Sequence, residues 1–68
     1  MTLGYNVKIK RTEMGLTAKK LGELVGINPS TISNIENDRN STSIFFVEIL
    51  ADFFGCSIDE LCGRVKED

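Results

Sequence analysis

Helix start and stop signals recur so closely along this chain that little besides short helices fits between them. Thr17, Asn28, Ser43 and Ser57 have side chains that cap the first turn of a helix. Gly15, Gly26, Gly55 and Gly63 stand where a left-handed residue ends one. Proline occurs once, at Pro29, directly after Asn28, the one place where a helix accommodates it without losing a hydrogen bond. Strand signals are poor: β-branched residues do not alternate with polar ones, and no Asn-Gly or Asp-Gly turn is present.

The punctuation predicts five helices. The first runs from about Gly4 to Met14, with Leu3, Val7 and Met14 on one face and Gly15 ending it. The second follows Thr17 and stops at Gly26, with Leu21, Leu24 and Val25 as its apolar stripe. The third starts at Asn28-Pro29 and turns Ile32, Ile35 and Glu36 to one side and Ser30, Ser33, Asn34 and Asn37 to the other. A polar connection, Asn37-Asp38-Arg39-Asn40-Ser41-Thr42-Ser43, leads to a fourth helix that Ser43 caps and Gly55 ends after Phe54. Ser57-Ile58-Asp59-Glu60 has capping-box spacing, in which serine and glutamate each satisfy a backbone N–H, and opens a short fifth helix.

Sixty-eight residues leave room for one hydrophobic core, and a chain this short needs a staple, a partner subunit or very regular packing. The whole of residues 1–68 therefore reads as a single all-α unit, a compact bundle of five short helices with a flexible tail over about residues 63–68. Histidine is absent, which excludes histidine-based catalysis and histidine–metal sites. No metal, cofactor or small-molecule ligand is expected. Ser30, Thr31, Ser33 and the carboxylates have no histidine to activate a nucleophile, so nothing points to an enzyme. Cys56 and Cys62 lack metal-ligand or redox spacing and read as two buried thiols. The longest apolar run, Ile44–Val47, is too short to span a bilayer or serve as a secretory segment. The expectation is a reduced, cytoplasmic protein with no membrane partner.

A formal charge of −2 and a pI near 5.0 argue at first against a polyanionic partner. The charge is unevenly placed, however. Residues 1–20 hold Lys8, Lys10, Arg11, Lys19 and Lys20 against Glu13 alone, whereas residues 41–68 hold six carboxylates against Arg64 and Lys66. The first third is basic and the last third acidic.

The stretch from Leu16 to Asn37, LTAKKLGELVGINPSTISNIEN, has the order helix, glycine turn, helix, with Ile27 placed to pin the two helices together. Together with the Thr31-Ile32-Ser33 triplet, the Ile35-Glu36 pair and the later Gly55-Cys56-Ser57-Ile58-Asp59-Glu60-Leu61 segment, it resembles the lambdoid phage repressor and Cro family, also called the XRE family. The resemblance covers about residues 3–62, with the helix-turn-helix at about 17–37. It implies a lambda repressor-like fold and sequence-specific binding of double-stranded DNA. A short, polar outer face on the second helix of such a unit is also what entry into the major groove requires.

By this resemblance the third helix is the recognition helix, and Pro29, Ser30, Ser33 and Asn34 are its base-reading positions. Asn34 has the donor and acceptor for a bidentate pair with adenine, and with no Arg or Lys on the face the commonest guanine contact is missing, so the expected operator leans to A·T. Phosphate contacts are expected from Thr17, Ala18 and Lys19 at the start of the second helix. Further ones are expected from Thr31 on the third helix and from Asn37, Arg39, Asn40 and Ser41 at its end and in the following loop. Arg11 and Glu36 occupy positions that in some phage repressors form a buried ion pair, and are expected to set the angle of the recognition helix. Two departures stand out: Ala18 replaces the glutamine that begins the second helix in many relatives, and the loop from Asp38 to Ser43 holds one basic residue where relatives often have several.

On a helical wheel the fourth helix puts Ile44, Val47, Leu50, Ala51 and Phe54 toward the core and leaves Phe45, Phe46, Ile49 and Phe53 outside it. Either the fifth helix and the tail cover this excess or a second subunit does. The second alternative makes Phe45, Phe46, Ile49 and Phe53 a homodimer interface that would pair two recognition helices on a palindromic operator. The expected function is a small transcriptional regulator, a repressor. A protein-interaction module, such as an antitoxin-like partner using the phenylalanine-rich helix 44–54, is the alternative.

Overall fold

A computed structural model describes residues 3–37 and 43–63. The described residues form α1 (Leu3–Glu13), α2 (Ala18–Val25), α3 (Pro29–Glu36), α4 (Ile44–Phe54) and α5 (Ile58–Leu61), with no strand among them. None of these helices is long and apolar enough to cross a membrane. The tail beyond Gly63 lies outside the described residues.

The caps act where the side-chain chemistry placed them. Thr17 accepts from the Lys20 N–H, Asn28 from Ser30, and Ser43 from Phe45. Ser57 and Glu60 complete a reciprocal capping box, with the Glu60 carboxylate accepting from the Ser57 N–H at 2.9 Å and Ser57 Oγ accepting from the Glu60 N–H at 3.0 Å. Each cap satisfies a donor that a helix start otherwise leaves to solvent.

Val7, Leu21, Ile27, Ile32, Ile35, Val47, Leu50, Ala51 and Leu61 form the buried core, so every helix and the α2–α3 turn contribute to it. Two glycines let backbones approach more closely than any side chain would allow. A Cβ on Gly4 would run into the Ile35 and Glu36 carbonyls at the end of α3, and one on Gly22 would run into the Ile27 carbonyl across the helix-turn-helix. Asn6 ties α1 to the other end of the chain by donating from Nδ2 to the Leu61 carbonyl at 2.8 Å.

Several apolar residues assigned to the core by periodicity lie elsewhere. Met14 is 52% exposed because α1 ends at Glu13 and the chain turns there, carrying Met14 off the face that Val7 occupies. Leu24 is 50% exposed: α2 packs on α3 and α4 through Leu21, Gly22 and Val25, and Leu24 projects well to one side of that line. Ile44 is 60% exposed, since it sits on the first turn of α4, ahead of the Val47 level where the core begins. Phe54 is half-buried.

On the outer side of α4, Phe45 is 62% exposed, but Phe46, Ile49 and Phe53 are half-buried and pack against the core cluster. These three share one flank of α4, so a single flanking cover is enough to take them partly out of water. Cys56 and Cys62 are free and half-buried rather than fully buried, because they stand at the turns that flank α5.

Candidate nucleic-acid interface

The α2–α3 unit is built on a rigid corner. Gly26, with φ 77°, ends α2 in the left-handed conformation, and the N–H groups of Gly26 and Ile27 both donate to the Gly22 carbonyl, at 2.8 and 3.0 Å. Ile27 is buried immediately after the turn. Asn28 then caps α3 and Pro29 opens it. The close approach at Gly22 and the burial of Ile27 bring the two helices together at fixed spacing.

At 3.6 residues per turn, Pro29, Ser33, Asn37, Ser30 and Asn34 share an arc of about 140° on α3. Ile32 and Ile35 lie on the opposite side, in the core. Pro29, Ser30, Ser33 and Asn37 are exposed, Asn34 is half-buried, and the arc carries no formal charge. Among the described residues, no hydrogen bond engages the Asn34 amide or the Ser30 hydroxyl. Asn37 is turned back on its own helix, its Nδ2 donating to the Ser33 carbonyl at 2.8 Å and lying 3.4 Å from Ser33 Oγ. Thr31 is half-buried, on the border between the outer arc and the core side.

Arg11 joins three elements. Its Nε donates to Glu36 Oε2 at 2.6 Å and Nη2 to Glu36 Oε1 at 3.1 Å, a two-pronged pair between α1 and α3. Nη1 donates to the Leu16 carbonyl at 2.7 Å, one residue before the cap of α2. The side chains are only 12% and 8% exposed, so their mutual attraction is little screened by water. The hydrogen bond to Glu36 raises the Arg11 pKa above its ordinary range, burial opposes that, and the charge of Glu36 adds to the rise. With all three nitrogens engaged inside the molecule, Arg11 works as a brace that fixes α3 against the start of α2.

At that start, Ala18 is half-buried and Lys19 is exposed. The N–H groups of Ala18 and Lys19 are first-turn donors, which a helix leaves without internal acceptors, and the dipole of α2 adds partial positive charge there. Thr17 Oγ1 accepts from the Lys20 N–H at 3.0 Å and keeps its own hydrogen to donate. Lys20 Nζ is 3.9 Å from Glu23 Oε1, but both side chains are 56% exposed, and a pair so open to solvent contributes little. Arg39, Asn40 and Ser41, also expected at phosphates, lie outside the described residues. No cluster among the described residues could hold a metal ion.

Sequence reasoning missed Gly4, Gly22, Asn6 and the Asn37–Ser33 contact. Gly22 did carry a signal, since a glycine inside a helix is unfavourable and marks a close backbone approach. Asn6 carried none.

The sequence pattern of the Helix-turn-helix family matches residues 7–61. The immunity repressor protein of Bacillus phage phi105 is 31% identical over 71 residues, an overlap that takes in 100% of this chain and 49% of that protein. The competence pilus inhibition repressor of Acinetobacter baylyi is 33% identical over 61 residues, covering 90% of this chain and 56% of that one. The chain thus spans about half the length of these relatives. Among solved structures, the P22 c2 repressor protein in complex with a synthetic operator superposes with a TM-score of 0.85 over 96% of this chain and 98% of that chain, at 22% identity. That likeness establishes a lambda repressor-like fold.

Proposed function

The chain belongs to the helix-turn-helix family, of the XRE type, and on that premise we propose that it binds double-stranded DNA sequence-specifically as a small transcriptional repressor. One observation carries the proposal: an uncharged arc of hydroxyl and amide groups on α3, held in place by the Gly22–Ile27 corner and the Arg11 brace. Such a face can approach base edges without repelling phosphates and offers both donors and acceptors. The immunity and competence-pilus relatives are named as repressors, which supports the same role.

Within that role Asn34 pairs with adenine in the major groove through its unengaged amide, Ser30 and Ser33 contact neighbouring base edges, and Pro29 offers apolar contact to a thymine methyl. Thr17, the Ala18 and Lys19 N–H groups and the Lys19 ammonium hold phosphates, and the Thr31 hydroxyl holds another. Few basic side chains take part, so the dependence of log K on log salt is shallow. The exposed pair Ile44 and Phe45, continued by the half-buried Phe46, Ile49 and Phe53, forms a homodimer contact that places two α3 helices on a palindrome.

The experiment is a gel shift of the protein on the DNA upstream of its own coding sequence, beside a panel of A·T-rich palindromes. A shift by wild type that Asn34→Ala abolishes supports the assignment. No shift on any duplex, or recovery of a G·C-rich consensus by selection, overturns it. Sedimentation tests the dimer: a protein monomeric at tens of micromolar has no such contact.

A further inference from the structure

Asn37, expected at a phosphate, turns its Nδ2 back onto its own helix. Nδ2 donates to the Ser33 carbonyl at 2.8 Å, a carbonyl that also accepts the Asn37 N–H at 3.0 Å, and lies 3.4 Å from Ser33 Oγ. The backbone at Asn37 has φ −99° and ψ 5°, which most residues adopt without strain, so the backbone conformation does not require asparagine here.

We propose that Asn37 is a positioning residue for Ser33: its amide occupies one lone pair of the Ser33 hydroxyl and selects the rotamer that turns the hydroxyl hydrogen outward as a donor. The assignment rests on the DNA-reading role of α3 proposed above and deepens it. A free serine hydroxyl swings between staggered rotamers and is donor or acceptor to whatever it meets. In a helix it also folds back onto the carbonyl four residues earlier, here that of Pro29. Among the described residues Ser33 makes no such bond. With one acceptor site filled by Asn37, Ser33 is biased toward donating to an acceptor on the major-groove edge of a base: N7 or O6 of guanine, N7 of adenine, or O4 of thymine. Asn37 would then govern selectivity at one base pair without touching it.

The test uses the full chain, the duplex bound best by wild type, and duplexes with every base pair replaced in turn, read by fluorescence anisotropy at several salt concentrations. Wild type should discriminate about fivefold at the base pair facing Ser33, the scale of one hydrogen bond. Ser33→Ala and Asn37→Ala should each flatten the preference at that same base pair, and Asn37→Ala should add nothing in the Ser33→Ala background. The salt slope should stay unchanged. Asn37→Lys should strengthen binding to all duplexes and steepen the slope without restoring the lost preference. Uniform weakening by Asn37→Ala across all duplexes, with every base preference kept, would make Asn37 a phosphate contact and overturn the proposal. An unchanged profile and slope would reduce it to a helix terminator and overturn it equally. Failure of wild type to bind any duplex removes the DNA-reading premise itself, and that outcome is visible before any substitution is made.

Discussion

Helices α3 and α4 start alike and finish as opposites. Each begins on a side-chain cap and buries a short aliphatic row, Ile32 and Ile35 in one, Val47, Leu50 and Ala51 in the other. The outer arc of α3 then presents proline, serine and asparagine with no charge, whereas the outer side of α4 presents Ile44 and Phe45 with the carboxylates Glu48 and Asp52. The first surface hydrogen-bonds and tolerates a nearby polyanion. The second repels phosphate and gains by meeting another apolar surface. The supports differ as well: α3 is held from behind by an ion pair and two glycine contacts, α4 by large side chains that fill space. A helix that must keep its angle is braced through polar atoms with direction, and one that only closes a core is held by packing.

Breaking the brace should have the largest effect. Arg11→Met leaves the Glu36 carboxylate nearly buried without a partner, at a cost of about 3 kcal/mol in urea unfolding. Arg11→Met combined with Glu36→Leu should recover most of that stability, because no buried charge remains. DNA affinity should stay low in the double variant if the pair sets the α3 angle, and recovery of both would reduce the pair to filling space.

Next comes Gly22→Ala, whose methyl group has to push the Ile27 carbonyl aside; a loss of about 2 kcal/mol on thermal unfolding is expected, with α2 and α3 forced apart. The α4 side is probed by Phe45→Glu. Folding stability should change by less than about 0.5 kcal/mol, since the ring is mostly in water, while association measured by sedimentation should weaken by about tenfold or more. Ser30→Ala should be nearly silent in stability, within about 0.5 kcal/mol, so any loss of DNA affinity would belong to the reading face itself.

The smallest effect concerns alkaline pH. The folded-state pKa of Arg11 is raised, so the stability it contributes is complete below the ordinary guanidinium range and is lost only as pH rises through the folded value. The stability gap between wild type and Arg11→Met should therefore be the same at pH 7 and about pH 10. A gap that narrows over that interval would mean that a group other than the guanidinium carries it.

Local chemistry was legible wherever a residue acts on its near neighbours. The caps at Thr17, Asn28, Ser43 and Ser57, the glycine ends and the uncharged outer residues of α3 all follow from contacts within about one helical turn. Periodicity misplaced Met14, Leu24 and Ile44 because it gives the direction of a side chain around a helix axis and says nothing of which neighbouring element lies there, or at what height the core begins. The same limit left open whether the chain itself would cover Phe46, Ile49 and Phe53, which pack in part against its core.

What the order of residues determined by itself is the set of five short helices, the corner between α2 and α3, and the polar character of the face that corner presents. Only the tertiary structure decided that Arg11 would reach the Leu16 carbonyl as well as Glu36, that Gly4 and Gly22 would sit against carbonyls, that Asn6 would close α1 onto Leu61, and that Phe45, of the four outward residues on α4, would stay most exposed. Caps and turns are energetics of neighbours in the chain. Braces, close approaches and burial depend on where distant segments meet once the core has formed.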